Sequence, residues 1–382
     1  MDFSYSEEQT ALRDSIVRFA RAELNHDVIE RDRAGSFSRE LWRKCGTMNL
    51  LGLPAPESYG GAAADPLTCA IALEALGYAC HDGGLVFSVC AHMLACVVPV
   101  WKHGNESQKQ RFLTGLCDGT YVGAHAITEP DSGSDTFAMR LRAERDGQGW
   151  RLNGSKTFIS NGPVADVVVV FAITDAEKRF HGGVTAFLVD RSTPGFAAGQ
   201  RFAKMGLRTS PVGELTFDNA WLPGDAVLGT IGGGTAVFGT AMEWERALLV
   251  AAHVGTIERL LETSVKYART RNQFGQAIGK FQAVAHKVAD MKVQLEAARL
   301  LVYRTASRLT VSRSISLDAS ITKLFVSETL VKTALDAVQL HGGYGYMEEY
   351  EVERALRDAI GSTLYSGTSE MQRNIIGRWL GL

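Results

Sequence analysis

Residues able to do chemistry gather in a few short runs. The densest is Ala126-Ile127-Thr128-Glu129-Pro130-Asp131-Ser132-Gly133-Ser134-Asp135, where the Thr128 and Ser134 hydroxyls and the backbone amides around Gly133 suit a flat heterocycle or a phosphate. Asn153-Gly154-Ser155-Lys156-Thr157-Phe158-Ile159-Ser160-Asn161-Gly162 follows it. Arg269-Thr270-Arg271-Asn272-Gln273-Phe274-Gly275 adds guanidinium forks that match phosphate oxygens. Gln339-Leu340-His341-Gly342-Gly343-Tyr344-Gly345 adds paired glycines that let backbone amides approach closely. The last run is Tyr365-Ser366-Gly367-Thr368-Ser369-Glu370. Singly, each has a plainer reading: a polar turn, a surface cation near a helix end, a helix stop, an aromatic in a strand core. The nine histidines form no H-x-x-x-H cluster, so no metal is expected.

These runs need elements to hold them. All nine prolines fall at or before Pro223, and the stretch beyond carries helical periodicities such as Leu295, Leu300, Leu301 and Leu309, so it is expected to be nearly all helix. Residues 1–120 also read as helices, with Ser6 and Gln9 matching a capping box and breaks at Gly52-Leu53-Pro54, Gly60-Gly61 and Gly83-Gly84. Between them, Leu141–Arg145 and Trp150–Asn153 flank Asp146-Gly147-Gln148-Gly149, a hairpin signature. Val167–Phe171, Thr185–Val189 and Glu214–Phe217 are further strands. The order is helices, about a hundred residues of antiparallel sheet, then helices, with boundaries at 1–120, 121–228 and 229–382.

With 382 residues the chain has room for two or three domains. A net charge of −2 and 46% hydrophobic residues exclude a disordered chain and a strongly basic nucleic-acid binder. The six cysteines (Cys45, Cys69, Cys80, Cys90, Cys96, Cys117) form no C-x-x-C pair and read as reduced core residues of a cytoplasmic protein. The start, Met1 to Gln9, lacks the basic and apolar regions of a secretory signal. Gly83 to Trp101 is uncharged and long enough to span a membrane, but Ser88, His92 and Pro99 interrupt it, which points to a buried helix and no membrane partner.

In their order and spacing, the runs resemble the acyl-CoA dehydrogenase family of flavoproteins along essentially the whole chain. The resemblance implies a mainly α fold with a central β domain: an N-terminal helical domain, an antiparallel β-barrel or sandwich, and a C-terminal four-helix bundle. It implies FAD, held by Ile127, Thr128, Ser134, Phe158 and Ser160 around the ring and pyrophosphate, where Phe158 stands in for the tryptophan and Ser160 for the threonine of many relatives. Arg271, Phe274, Gln282, Gln339, Gly342 and Gly343 would reach the cofactor across a subunit interface in a dimer of dimers, and Thr368 and Glu370 would complete the site. The implied reaction is α,β-dehydrogenation of an acyl thioester, with an electron-transfer flavoprotein or oxygen as electron acceptor. Substrate contacts fall to Ser134, Arg246, Tyr365 and Gly367, and the Ser366 backbone amide would bind the thioester oxygen.

The reaction needs a carboxylate to take the α-proton. Many relatives carry a glutamate directly before the Gly-Thr of the last run, where this chain has Ser366. A minority, the isovaleryl and long-chain enzymes among them, supply it from the helix opening the C-terminal domain, directly before an arginine; here that is Glu245-Arg246. On a helix Glu245 shares a stripe with Phe238, Met242, Leu249 and Ala252, so its carboxyl is expected in an apolar interior, where burial raises its basicity. Its plainer role is an ion pair inside the bundle. Gly84 to Pro99 and Leu364 to Thr368 resemble family members that act on prolyl or acyl groups tethered to a carrier protein in secondary metabolism. Two alternatives stay open: an oxidase or hydroxylase on the same scaffold, and a catalytically silent FAD-binding scaffold.

Overall fold

The computed structural model describes residues 5–312 and 314–382; Met1 to Ser4, part of the segment in which no secretory signal is expected, lie outside it. Helix α1 (Glu7–Glu23) opens on the Ser6/Gln9 capping box, both reciprocal hydrogen bonds being present. It is followed by α2 (Val28–Ala34), α3 (Arg39–Thr47) and α4 (Pro66–Ala79), the last capped by Asp65 with a proline in its first turn. The uncharged stretch becomes α5 (Gly83–His92), a π-helical turn (Met93–Val97) and α6 (Val98–His103). By length and composition this run could cross a membrane, but 89% of its most apolar window is buried inside the protein. His92 sits at the π turn fully buried: Nε2 donates to Leu116 O (2.9 Å) and Nδ1 accepts from Gly123 N (2.8 Å). Burial pushes the imidazole down to about 4, so it works as a neutral bridge from α5 to α7 (Glu106–Cys117) and the first strand.

The central sheet holds β1 (Gly123–Ala126), β2 (Arg142–Asp146), β3 (Gly149–Ser160), β4 (Val167–Ile173), then, after the short turn α8 (Phe180–Gly183), β5 (Val184–Asp190), β6 (Phe196–Arg201), β7 (Val212–Pro223) and β8 (Val227–Leu228). The strands run in the order β6-β7-β3-β2-β4-β5-β8, with β1 beside β4. The expected hairpin is present: Asp146 pairs with Gly149 around Gly147-Gln148, and only Gly147 takes positive φ, the pattern of a turn with glycine first. One expectation needs correction, because the sheet is mixed. β1 pairs parallel to β4, and Arg142 makes one parallel pairing with Ile173. The reason is connectivity: the whole β2–β3 hairpin lies between β1 and β4 and supplies the long crossover that parallel strands require.

The remainder is helical apart from a small hairpin that the sequence reading missed, β9 (Asn272–Gln273) with β10 (Gln276–Ala277). Helix α9 (Gly234–Thr270) comes first, then α10 (Gln282–Val311), α11 (Ser316–His341), α12 (Glu351–Gly361) and α13 (Ser369–Trp379). The two helical regions, far apart in sequence, share one core: Leu73, Leu76 and Cys90 pack in the same cluster as Leu248, Ala252, Leu295 and Val326. All six cysteines are buried and unpaired.

Helices α4 and α9 approach backbone to backbone at two glycines, Gly77 and Gly255. A Cβ on Gly77 would collide with the Ala252 backbone, and one on Gly255 with the backbone of Glu74 and Tyr78. Gly255→Ala is therefore expected to cost about 1–3 kcal/mol in urea unfolding, because the helices have to separate. Gly239→Ala, in the same helix but with open space beside it, is expected to stabilise by about 0.5–1 kcal/mol.

Candidate active site

Glu245 lies in the fourth turn of α9 and is 8% exposed. Its Oε1 accepts a short hydrogen bond from the Ser366 hydroxyl. Desolvation raises the carboxyl above its ordinary range, against the opposing pull of the Ser366 bond, Arg246 and Lys323. The loop that carries Ser366 is tied down at its carbonyls. Arg246 Nε donates to Ser366 O (2.9 Å), Lys323 Nζ donates to Gly367 O (2.8 Å), and Gln372 Nε2 reaches both (3.2 and 2.8 Å). Lys323, on α11, is 1% exposed, and burial lowers its ammonium to about 8. Tyr365 shares a 2.7 Å hydrogen bond with His253, about two turns further along α9, and its ring stacks at a tilt on Phe87, centroids 4.6 Å apart. Glu243 points elsewhere, accepting from Ser314 Oγ (2.7 Å).

The same turn of α5 that carries Phe87 grips the end of β3. Ser88 Oγ bonds Ser210 Oγ (2.8 Å), and Asn161 Nδ2 donates to Ser88 O (3.1 Å). Immediately upstream stand Ser160, half-buried, and Phe158, which is 66% exposed at φ +56°. Strand alternation would place Phe158 inward with Trp150, Leu152 and Lys156. A register shift between Lys156 and Ile159 turns it out, so the strand-core reading of Phe158 is corrected.

Lys156, which sequence reasoning passed over, is fully buried and donates to Glu129 Oε1 (2.7 Å) and Ile127 O (3.0 Å). Glu129 also accepts from Arg140 N (2.5 Å) and Leu141 N (3.0 Å), while Thr157 N donates to Thr128 O (2.9 Å). The Thr128–Ser134 loop is thereby stapled to β3, with Thr128 half-buried and Gly133 and Ser134 exposed. Both missed lysines had a signal, since each is a charge in phase with buried apolar neighbours: Lys156 with Trp150 and Leu152, Lys323 with Ala319, Val326 and Leu330.

Arg271, Gly342 and Gly343 line a second, open hollow of about 510 Å³ with Tyr267, Tyr344 and Met347. The Arg271 guanidinium lies 5.4 Å from the Tyr344 ring centre. Phe274, 94% exposed at φ +51°, Gln282 and Gln339 stand on the surface outside that lining. Thr368 has a local duty: it caps α13, its hydroxyl accepting from Met371 N (3.3 Å), with Glu370 exposed in the first turn.

Residues 6–120, 124–220 and 232–381 match, in turn, the N-terminal, middle and C-terminal domains of acyl-CoA dehydrogenases. The chain belongs to the acyl-CoA dehydrogenase family. It is similar to an L-prolyl peptidyl-carrier protein dehydrogenase of Pseudomonas fluorescens, 41% identical over all of both chains. Among solved structures it resembles the prolyl acyl carrier protein oxidase AnaB (TM-score 0.97, 43% identity, 99% of this chain and 100% of that one). It also resembles PigA with FAD and proline (0.97, 39%, all of both chains).

This chain is an FAD-dependent dehydrogenase of acyl thioesters, and its residues fit the cofactor. Phe158 offers a bare aromatic face. Apart from their chain neighbours, no described residue has an atom within 4 Å of where a side chain on Gly133, Gly342 or Gly343 would begin, so their backbones are open to a ligand. The loop of Thr128 depends on the buried Lys156–Glu129 pair. Lys156→Met leaves the Glu129 carboxylate without its cation and is expected to cost about 3–5 kcal/mol in urea unfolding. FAD retention through gel filtration should fall with it, and a variant that keeps both wild-type stability and full FAD would refute the stapling role.

Proposed function

We propose that this chain introduces a double bond into an acyl group carried as a thioester on a carrier protein, with an L-prolyl group the favoured substrate, and that Glu245 is the base. The observation that carries the reading is the buried Glu245 carboxylate, made more basic by desolvation, facing a loop whose Ser366 side chain cannot itself act as a base. FAD, when bound, supplies the two-electron oxidation by accepting the β-hydrogen as hydride. Glu245 takes the α-proton. The Ser366 N–H, which makes no hydrogen bond to any described residue, is free to donate to the thioester oxygen as charge develops there. Tyr365 and Gly367 flank it, Arg246 fixes its carbonyl, and Phe158, Ser160, Thr128 and Ser134 bind the flavin ring. The carrier tether and the prolyl group rest on the prolyl relatives.

Arg271 is assigned to a different FAD from the one beside Phe158 of its own chain. It follows the last residue of α9, 26 residues beyond Glu245, so a helix rise of about 39 Å separates it from the base, which supports that assignment. Arg271, Phe274, Gln282, Gln339, Gly342 and Gly343 therefore bind the FAD of a second copy, with Thr368 and Glu370 beside the nucleotide, in a dimer of dimers working in the cytoplasm. Arg271→Ala is expected to weaken FAD retention and the oligomer together. A monomer by light scattering that holds stoichiometric FAD would sink the shared site.

Anaerobic bleaching of the flavin by L-prolyl carrier protein, compared with prolyl-CoA and butyryl-CoA, tests the substrate; equal rates on the free CoA ester and the carrier would argue for ordinary CoA-ester metabolism. A second reading, oxygen as electron acceptor in place of an electron-transfer flavoprotein, is favoured by the likeness to a prolyl carrier protein oxidase and predicts fast peroxide release in air. Glu245→Gln should slow flavin reduction about 10²–10⁴-fold with FAD still bound, whereas Glu243→Gln, turned toward Ser314, should change it little. Near wild-type reduction by Glu245→Gln would overturn the base assignment.

A further inference from the structure

The side chain at position 366 makes a contact that its backbone role does not require. Ser366 occupies left-handed backbone at φ +56°, a conformation unfavourable for a residue with a Cβ, and Gly367 follows at φ +90°. In this geometry the Ser366 hydroxyl reaches across to α9 and donates to Glu245 Oε1, while Oε2 accepts nothing from any described residue. Three donors on three elements hold the loop in place: Arg246 from α9, Lys323 from α11 and Gln372 from α13.

We propose that the Ser366 hydroxyl is a positioning residue for the base, holding one oxygen of Glu245 so that the other is presented to the α-carbon. This deepens the reading of Glu245 as base and rests on it. A serine where many relatives carry their glutamate is then more than a vacancy. A second carboxylate there would face Glu245 as a like charge in a buried site, whereas a hydroxyl is small and donates.

A hydrogen bond to an ionised carboxylate favours the charged form, so the hydroxyl also lowers the pH at which the base becomes available. The other groups acting on Glu245 are Arg246 on its own helix, Cys90 on α5, Lys323 on α11 and Tyr365 on the loop, the last hydrogen-bonded to His253. His253 is held neutral, pushed to about 3 by burial, and burial raises the Cys90 thiol and the Tyr365 phenol. Lys323 titrates at about 8. Asp358 on α12, raised by burial to about 7, also acts on Tyr365, but its carboxyl accepts from Leu207 N and makes no bond to Ser366, so the part of the acid limb that moves with the Ser366 hydroxyl belongs to Glu245, which must be deprotonated to work. Removing a donor that favours the deprotonated form moves that limb to higher pH.

The test uses holoenzyme of Ser366→Ala and Ser366→Gly, with flavin reduction followed in single turnovers from pH 5 to 9 on L-prolyl carrier protein or, where that leaves the wild type oxidised, butyryl-CoA. Glycine suits φ +56° without strain, so the two variants differ in loop strain but lack the same hydroxyl. Both are expected to shift the acid limb upward, losing about tenfold in rate below the wild-type midpoint, since a bond to a charged group is worth about 1.5–3 kcal/mol. The rate on the plateau should fall as well, because the freed carboxylate is no longer held toward the α-carbon. A second readout needs no turnover: with ¹³C at the glutamate carboxyls, the resonance missing from Glu245→Gln should titrate at higher pH in both variants. An unchanged limb and an unchanged titration in both would overturn the proposal while leaving Glu245 as base. Rapid reduction by Glu245→Gln would instead remove the base reading and the proposal with it.

Discussion

A carboxylate buried among apolar helices is costly, and the interior around Glu245 is organised to offset that cost. The compensation is indirect, because neither nearby cation bonds to the carboxylate. Arg246 and Lys323 are each spent on a loop carbonyl, at Ser366 and Gly367, and act on Glu245 through space, while the one direct bond comes from a neutral hydroxyl. A tight ion pair would leave Glu245 a poor base by stabilising its charged form heavily. A carboxylate with no compensation would stay protonated. The arrangement lies between these limits, and burial outweighs the opposing influences, so the carboxyl remains above its ordinary range.

This demand explains why the fold joins its helical regions. Glu245 is on α9, its hydroxyl donor is on the loop before α13, Lys323 is on α11, and the ring that backs Tyr365 is on α5, from the other end of the chain. The α4–α9 contact through Gly77 and Gly255 brings the N-terminal helices against the C-terminal ones closely enough for Phe87 and Cys90 to close the site. Because Ser88, next to Phe87, also holds Ser210 and Asn161, the α5 turn fixes the base region and the Phe158 edge of the sheet to each other. A π turn beginning at Met93, beside His92, carries the chain from that contact into α6.

Local features were the most legible in the sequence. The Ser6/Gln9 box, the Gly147 turn and the proline-free helical half each depend on a few adjacent residues or on a simple periodicity. Glu245 was legible for a related reason: a charge on an apolar stripe is conspicuous. Lys156 and Lys323 carried the same signature and could have been found by the same argument, but their partners could not, since Lys323 meets Gly367 44 residues away and only the folded bundle makes them neighbours. The plainer strand-core reading of Phe158 fails because a bulge resets the period-two pattern, and nothing in the residue types around it announces the shift. The parallel β1–β4 pair is similarly a matter of topology, set by which strand the chain returns to rather than by any strand's composition.

The length of α9 follows from the same chemistry. One helix of 37 residues carries Glu245 near its beginning and is followed directly by Arg271, so a rigid rod joins the proposed base of one site to the nucleotide contact proposed for another. Such a rod must be free of proline, which would remove a backbone bond and kink it, and α9 contains none. It must also end sharply, so that Arg271 and the β9–β10 hairpin project outward instead of continuing the helix. The chain does this with extended backbone at Arg271 and positive φ at Phe274 and Gly275, which turn the hairpin tip into solvent. An aromatic side chain 94% exposed there gains nothing within its own chain, beyond an edge contact with Phe281. On the proposed assembly, the second copy supplies the surface that makes this exposure reasonable.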